Sequence, residues 1–224
     1  MNIVIFDLET TTTLRETAEI LQVGAIILNE NFDVVDYINK YVNTPMVNGE
    51  RVKVPEDSVA IHGITNEFLN RVAPNYEFED FWKEYGSIFV NGPTVFIAYN
   101  ADYDTKVLES VCERYNVTKP NFGMRCDTNL KLPRRRNISF CPMQYMSHKT
   151  GNKWIKLEKQ LELSYGDTRW LNDSYIDFCQ RNNIPYNEAR AHDALFDCYM
   201  TLKILQKECF PKIEKDSSIR KVAF

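Results

Sequence analysis

The chain has no apolar run approaching the ~18 residues that a membrane span requires, so no membrane partner is expected. No basic region and no small-residue cleavage site surround Ile3-Val4-Ile5-Phe6, and this opening reads as a buried strand rather than a signal peptide. The six cysteines, Cys112, Cys126, Cys141, Cys179, Cys198 and Cys209, include no CxxC pair. That argues against a zinc knuckle or a dithiol redox site and for reduced thiols in a cytoplasmic protein. Internal repeats, low-complexity tracts and linkers are also missing. Positive charge is in short supply: 27 Lys and Arg against 31 Asp and Glu leave a net charge of −4. Such a surface is unsuited to coating a nucleic-acid duplex, whose binders are usually basic.

What is present is enough apolar material, 44% of 224 residues, for one sizeable core. A single domain is expected over residues 1–210, with a polar tail over 211–224. Residues 3–6, 20–28 and 34–42 read as strands. The second is an apolar run fit for a position buried on both faces. Turn residues at Glu30-Asn31-Phe32-Asp33 predict a hairpin after it. Phe78, Phe81, Trp82, Tyr85 and Phe89 recur at helical steps and mark an amphipathic helix with a core-facing stripe. A strand over 94–98 and helices over 157–163, 175–182 and 195–209 follow. Residues 133–153 lack clear periodicity and read as a loop or insertion. Three early strands in meander order, then alternating helix and strand, predict a mixed α/β sheet with helices on both faces.

Three acidic motifs stand out. Asp7-Leu8-Glu9-Thr10-Thr11 closes the first strand, and a period of two sends both carboxylates to one face. Tyr99-Asn100-Ala101-Asp102-Tyr103-Asp104 lies where a strand feeds a helix; Asp102 and Asp104 compete there for a ligand role, and either could be a plain N-cap. In His192-Asp193-Ala194-Leu195-Phe196-Asp197 the outer two residues would face apart on one helix, by roughly 140°. The spacing fits better with Asp193 as N-cap, Asp197 in the first turns and His192 on the preceding loop. Carboxylates clustered on one site repel one another unless divalent cations lie between them. A histidine within reach supplies a base that titrates near neutrality.

These motifs resemble the D-x-E-T-T, H-N-A-x-F-D and H-x-A-x-x-D segments of the DEDDh family of 3′→5′ exonucleases. Glu19-Ile20-Leu21-Gln22-Val23-Gly24-Ala25, Ile61-His62-Gly63-Ile64-Thr65 and Cys126-Asp127-Thr128 are similar to further family segments. Together they span residues 3 to about 205. The resemblance implies a ribonuclease-H-like mixed sheet flanked by helices. It implies that Asp7, Glu9, Asp104 and Asp197 hold two Mg²⁺ or Mn²⁺ ions, with His192 as general base of a two-metal hydrolysis. Leu8, Thr10, Ile61, His62 and Asn100 would lie along the substrate, Ile61 wedging against the terminal base. Tyr99 departs from the family, where many members carry His.

The implied partner is the 3′ end of single-stranded DNA or RNA, with proofreading beside a DNA polymerase and RNA trimming as the two settings. A non-catalytic nucleic-acid-binding module and a ribonuclease-H-type endonuclease are the rival readings. Arg134-Arg135-Arg136, the one dense basic run, opens the 133–153 segment that also carries Phe140 and Tyr145, with Trp154 just beyond. Interleaved cations and rings of that kind can grip a single strand.

Overall fold

A computed structural model describes residues 2–126, 137–151, 153–185 and 192–209. Asp127-Thr128, Arg134-Arg135-Arg136 and the 211–224 tail lie outside the described residues. Strands β1 (Asn2–Thr10), β2 (Ile20–Leu28) and β3 (Val34–Tyr41) form an antiparallel meander. Every residue of β2 is buried, as its apolar run predicts. In the turn that follows, Asn29 Oδ1 accepts the amides of Asn31 and Asp33 at 2.8 and 3.0 Å, a local bond that Asn is short enough to make.

A two-stranded ribbon, β4 (Met46–Val47) with β5 (Glu50–Arg51), leads into α1 (Glu56–His62), α2 (Asn66–Val72) and α3 (Phe78–Val90). The Ile61-His62-Gly63-Ile64-Thr65 segment is a helix stop followed by a helix start. Gly63 ends α1 at φ +72°, a left-handed conformation natural to glycine, and the Thr65 hydroxyl accepts the Phe68 amide to open α2. Strand β6 (Thr94–Ile97) then pairs with β1 in parallel and feeds α4 (Ala101–Arg114).

Strands β7 (Met124–Cys126) and β8 (Ile138–Phe140) complete a six-stranded mixed sheet, order β3-β2-β1-β6-β8-β7, among the described residues. The segment read as a loop over 133–153 therefore contains an interior strand and a helix, α5 (Pro142–Thr150). Three strand residues are too few to show a period of two, and all of them are buried. Helix α5 buries only Pro142, Met143 and Met146, too narrow a stripe to register as amphipathic. Helices α6 (Leu157–Tyr165), α7 (Leu171–Arg181) and α8 (Ala194–Ile204) follow, α8 running into a π-turn over Leu205–Cys209.

The alternation of side chains along β1 decides where the chemistry sits. Phe6 packs its ring 5.6 Å from Phe89 of α3. Ile3 and Ile5, on the other face, line an apolar crevice with Leu202 of α8. Helices α3 and α8 thus cover opposite faces, and Asp7 and Glu9 share the face that meets α8.

Candidate active site

Two uncharged residues of β2 set α8 against the acidic end of β1. Gly24 pairs with Asp7 and Gln22 with Glu9 in the β1–β2 register. A Cβ at Gly24 would lie 2.3 Å from the backbone carbon of Ala194, so only glycine lets the start of α8 rest directly on the strand. Gln22 is buried, and two of its three side-chain hydrogen bonds reach the start of α8. Its Nε2 donates to Asp193 Oδ2 at 3.2 Å, and its Oε1 accepts the Ala194 amide at 3.3 Å. Asp193 caps α8 by accepting the Phe196 amide, which puts Asp197 in the first turn and His192 before the helix. His192 takes a left-handed backbone at φ +62° and leaves its side chain 44% exposed. This is the arrangement that the five-residue spacing predicts.

The central motif separates its two aspartates sharply. Asp104 is buried at 4% exposure, and its carboxylate is hydrogen-bonded to the backbone amide of Leu8, past the point where β6 stops pairing with β1. Asp102 turns outward into ion pairs with Arg15 (2.8 Å), Arg125 (2.9 Å) and Lys106 (3.0 Å). The Lys106 bond first, and then the neighbouring arginines, hold its carboxyl below the usual range.

Asp7, Glu9, Asp104 and Asp197 converge. Ligand atoms of Glu9, His192 and Asp197 lie within 4.8 Å of one another. Burial pushes the Asp7 carboxyl well up, and the charges of Asp104, Asp197 and Glu9 push it further. Asp197 is raised likewise by burial and then by Glu158, and Asp104 is pushed up to about 7, chiefly by burial. Like charges crowded out of water disfavour their own ionisation. One atom is left without a partner: Asp197 Oδ1 is buried with no hydrogen bond among the described residues. A buried, unpaired carboxylate oxygen facing further carboxylates and an imidazole fits a hard divalent cation, which takes oxygen and imidazole donors.

The residues expected along the substrate fall into two groups. Ile61 projects from α1 with 56% exposure, and α1 is pinned to the end of β1 by Ser58 Oγ donating to the Thr11 carbonyl at 2.7 Å. Asn100 is the half-exposed N-cap residue of α4. Leu8 and Thr10 are buried, the Thr10 hydroxyl sharing a 2.7 Å bond with the Tyr103 hydroxyl. His62, expected beside the terminal nucleotide, is buried between α1 and β1. Its Nδ1 accepts the Ile64 amide, which leaves the proton on Nε2 to donate to the Thr10 carbonyl at 3.2 Å.

Sequence reasoning missed three contributors. Gln22 and Gly24 position α8, and their signal was the pairing register, readable only once β1 and β2 are aligned. Glu158 of α6 approaches His192 Nε2 at 3.9 Å. One glutamate on an amphipathic helix carries no signal of that kind.

The family model of the RNase_T exonucleases matches residues 4–205. The chain belongs to this exonuclease family. Within it, the chain is 26% identical over 202 residues to the uncharacterized exonuclease CP81 of Escherichia phage 186, covering 87% of this chain and 82% of that protein. Among solved structures it resembles Escherichia coli exonuclease I in complex with a dA16 oligonucleotide, with TM-score 0.61, 18% identity and 96% of this chain covered. The zinc-bound form of the exonuclease I–single-stranded DNA complex gives a TM-score of 0.59 at 19% identity. The chain spans 42% of the length of these exonuclease I chains, and the likeness establishes a shared fold. The six-stranded mixed sheet with α3 and α8 on opposite faces is thus the ribonuclease-H-like sheet of DEDDh exonucleases.

Proposed function

We propose that this exonuclease works from 3′ to 5′ on single-stranded or frayed DNA ends, releasing nucleoside 5′-monophosphates. The reading is carried by the unpaired buried oxygen of Asp197 within a knot of carboxylates that has a half-exposed imidazole at its edge. Asp7, Glu9, Asp104 and Asp197 would hold two divalent cations, Mg²⁺ or Mn²⁺. Bound there, the cations supply Lewis acidity toward the attacking water and the phosphate oxygens.

The chain's own residues supply the rest. His192 takes the proton of the attacking water on a ring nitrogen, and its half-exposed side chain leaves it a path to pass that proton to solvent. Ile61, the exposed apolar side chain of α1, abuts the terminal base and splays it from its neighbour. Leu8 and Asn100 border the sugar of that nucleotide, and His62 and Thr10 hold the end of β1 in place beneath it. The exonuclease I structures that the chain resembles are complexes with single-stranded DNA, which favours DNA as substrate.

Strands labelled at the 5′ end test the polarity. The purified chain in Mg²⁺ should yield a descending ladder from a linear single strand, and nothing from a 3′-blocked or circular one. Internal cuts in the circle would overturn the reading, and faster shortening of RNA than of DNA would reassign the substrate.

A further inference from the structure

Residues 153–156 form a strap that leads into α6 and carries the most exposed large apolar side chain among the described residues, Trp154 at 68%. The other two tryptophans behave ordinarily: Trp82 is buried, and Trp170 donates its indole N–H to the Asp167 carbonyl. Trp154 instead borders an open hollow of about 550 Å³ together with Ser147, Gly151 and Lys153. Lys153 and Lys156 flank it, both exposed, in a chain whose net charge is −4.

One hydrogen bond fastens the strap, and the helix that it enters reaches the candidate site. The Tyr99 hydroxyl donates to the Ile155 carbonyl at 2.7 Å, and Tyr99 is buried directly before the N-cap residue of the helix that presents Asp104. Two residues past Lys156, Glu158 approaches His192. Trp154 is therefore no more than about 14 Å of extended chain from a residue at the catalytic edge. Tyr99 is also where the sequence departs from the resembling motif, so the departure has a visible consequence: it ties the strap to the residue that precedes the N-cap of α4.

We propose that Trp154 is a stacking platform for a nucleobase of the single strand upstream of its scissile end, with Lys153 and Lys156 against the adjoining phosphates. A flat ring flanked by cations is the chemistry that grips a single strand without reading its sequence. A protein partner would call for a broader apolar patch, whereas the hollow beside Trp154 is lined by serine, glycine and lysine. The inference rests on the exonuclease reading above and adds a binding subsite to it.

The test pairs binding with turnover. Fluorescence anisotropy of a labelled poly-dT oligonucleotide in chelator measures binding without cleavage. Trp154→Ala should weaken it roughly 5- to 150-fold, the worth of one stacked base, while Trp154→Phe keeps most of the affinity. In Mg²⁺, Trp154→Ala should raise KM for long strands and leave kcat/KM on a dinucleotide at the wild-type value. Tyr99→Phe, which frees the strap but keeps the ring, should shift KM in the same direction. Unchanged binding in Trp154→Ala, or an equal loss on the dinucleotide, would overturn the subsite while leaving the exonuclease standing. A wild-type chain that shortens no oligonucleotide at all would overturn the parent reading and the subsite with it.

Discussion

Asp102 and Asp104 show how far the identity of a residue can mislead. Both open α4, both carry the same charge, and residue type alone ranks neither above the other. Burial separates them: Asp104 faces Asp7 beneath the end of β1, and Asp102 faces three cations outside it. Asp104→Asn should therefore abolish turnover. Asp102→Asn should leave most of it and cost about 1 kcal/mol of stability or less, because its pairs are partly solvated. Steady-state rates with thermal melts on both variants check this, and the reverse pattern would show the alignment of the central motif to be off by two residues. His192→Ala should keep its fold, since the side chain is half exposed, and lose roughly 10²- to 10⁴-fold in rate, the range of a positioned base. Unfolding without a specific rate loss would make His192 a structural residue. Asp7 and Glu9 were legible as candidate ligands because charge in a buried strand is conspicuous. Glu158 was not, because its importance comes from a helix packed beside α8, and no local pattern encodes that.

At the scale of elements, long periodic segments announced themselves and short ones did not. The nine buried residues of β2 and the aromatic stripe of α3 left little choice of structure. Strands β7 and β8, three residues each, depend on the parallel neighbours that pair with them, and a window of sequence holds no trace of those neighbours. The contact between β2 and α8 is the element-level feature on which the site depends most. Gly24→Ala should push the start of α8 off the sheet, because the new Cβ would meet backbone that cannot swing aside. The expected cost is about 1–3 kcal/mol, with a loss of activity larger than the loss of folded protein explains. Gln22→Leu should cost a similar amount by stranding Asp193 and the Ala194 amide without their buried partner. Chemical denaturation and turnover at a temperature where each variant stays folded measure the two effects. Wild-type activity in Gly24→Ala would mean that α8 tolerates displacement and that its position is not what sets the site.

For the whole molecule, the carboxylate knot links stability to pH and to cations. Asp7, Asp104 and Asp197 titrate higher in the folded chain than their unfolded values near 4. A carboxyl raised on folding gives stability that is complete below the unfolded pKa and lost as pH rises through the folded one, about 7 for Asp104. The chelated chain should thus lose melting temperature through Asp104 between about pH 4 and 7, and Asp104→Asn should gain relative to wild type at about pH 8 more than near pH 4. The central claim, that the knot is a cation-dependent exonuclease site, is tested most directly by one rate. It is the rate of shortening of a 5′-labelled single strand, measured in chelator and again after Mg²⁺ is restored, for the wild type and for Glu9→Gln. The account predicts no shortening in chelator, full recovery for the wild type, and a rate lower by orders of magnitude for a folded Glu9→Gln. Full activity in chelator, or wild-type recovery by Glu9→Gln, would contradict it.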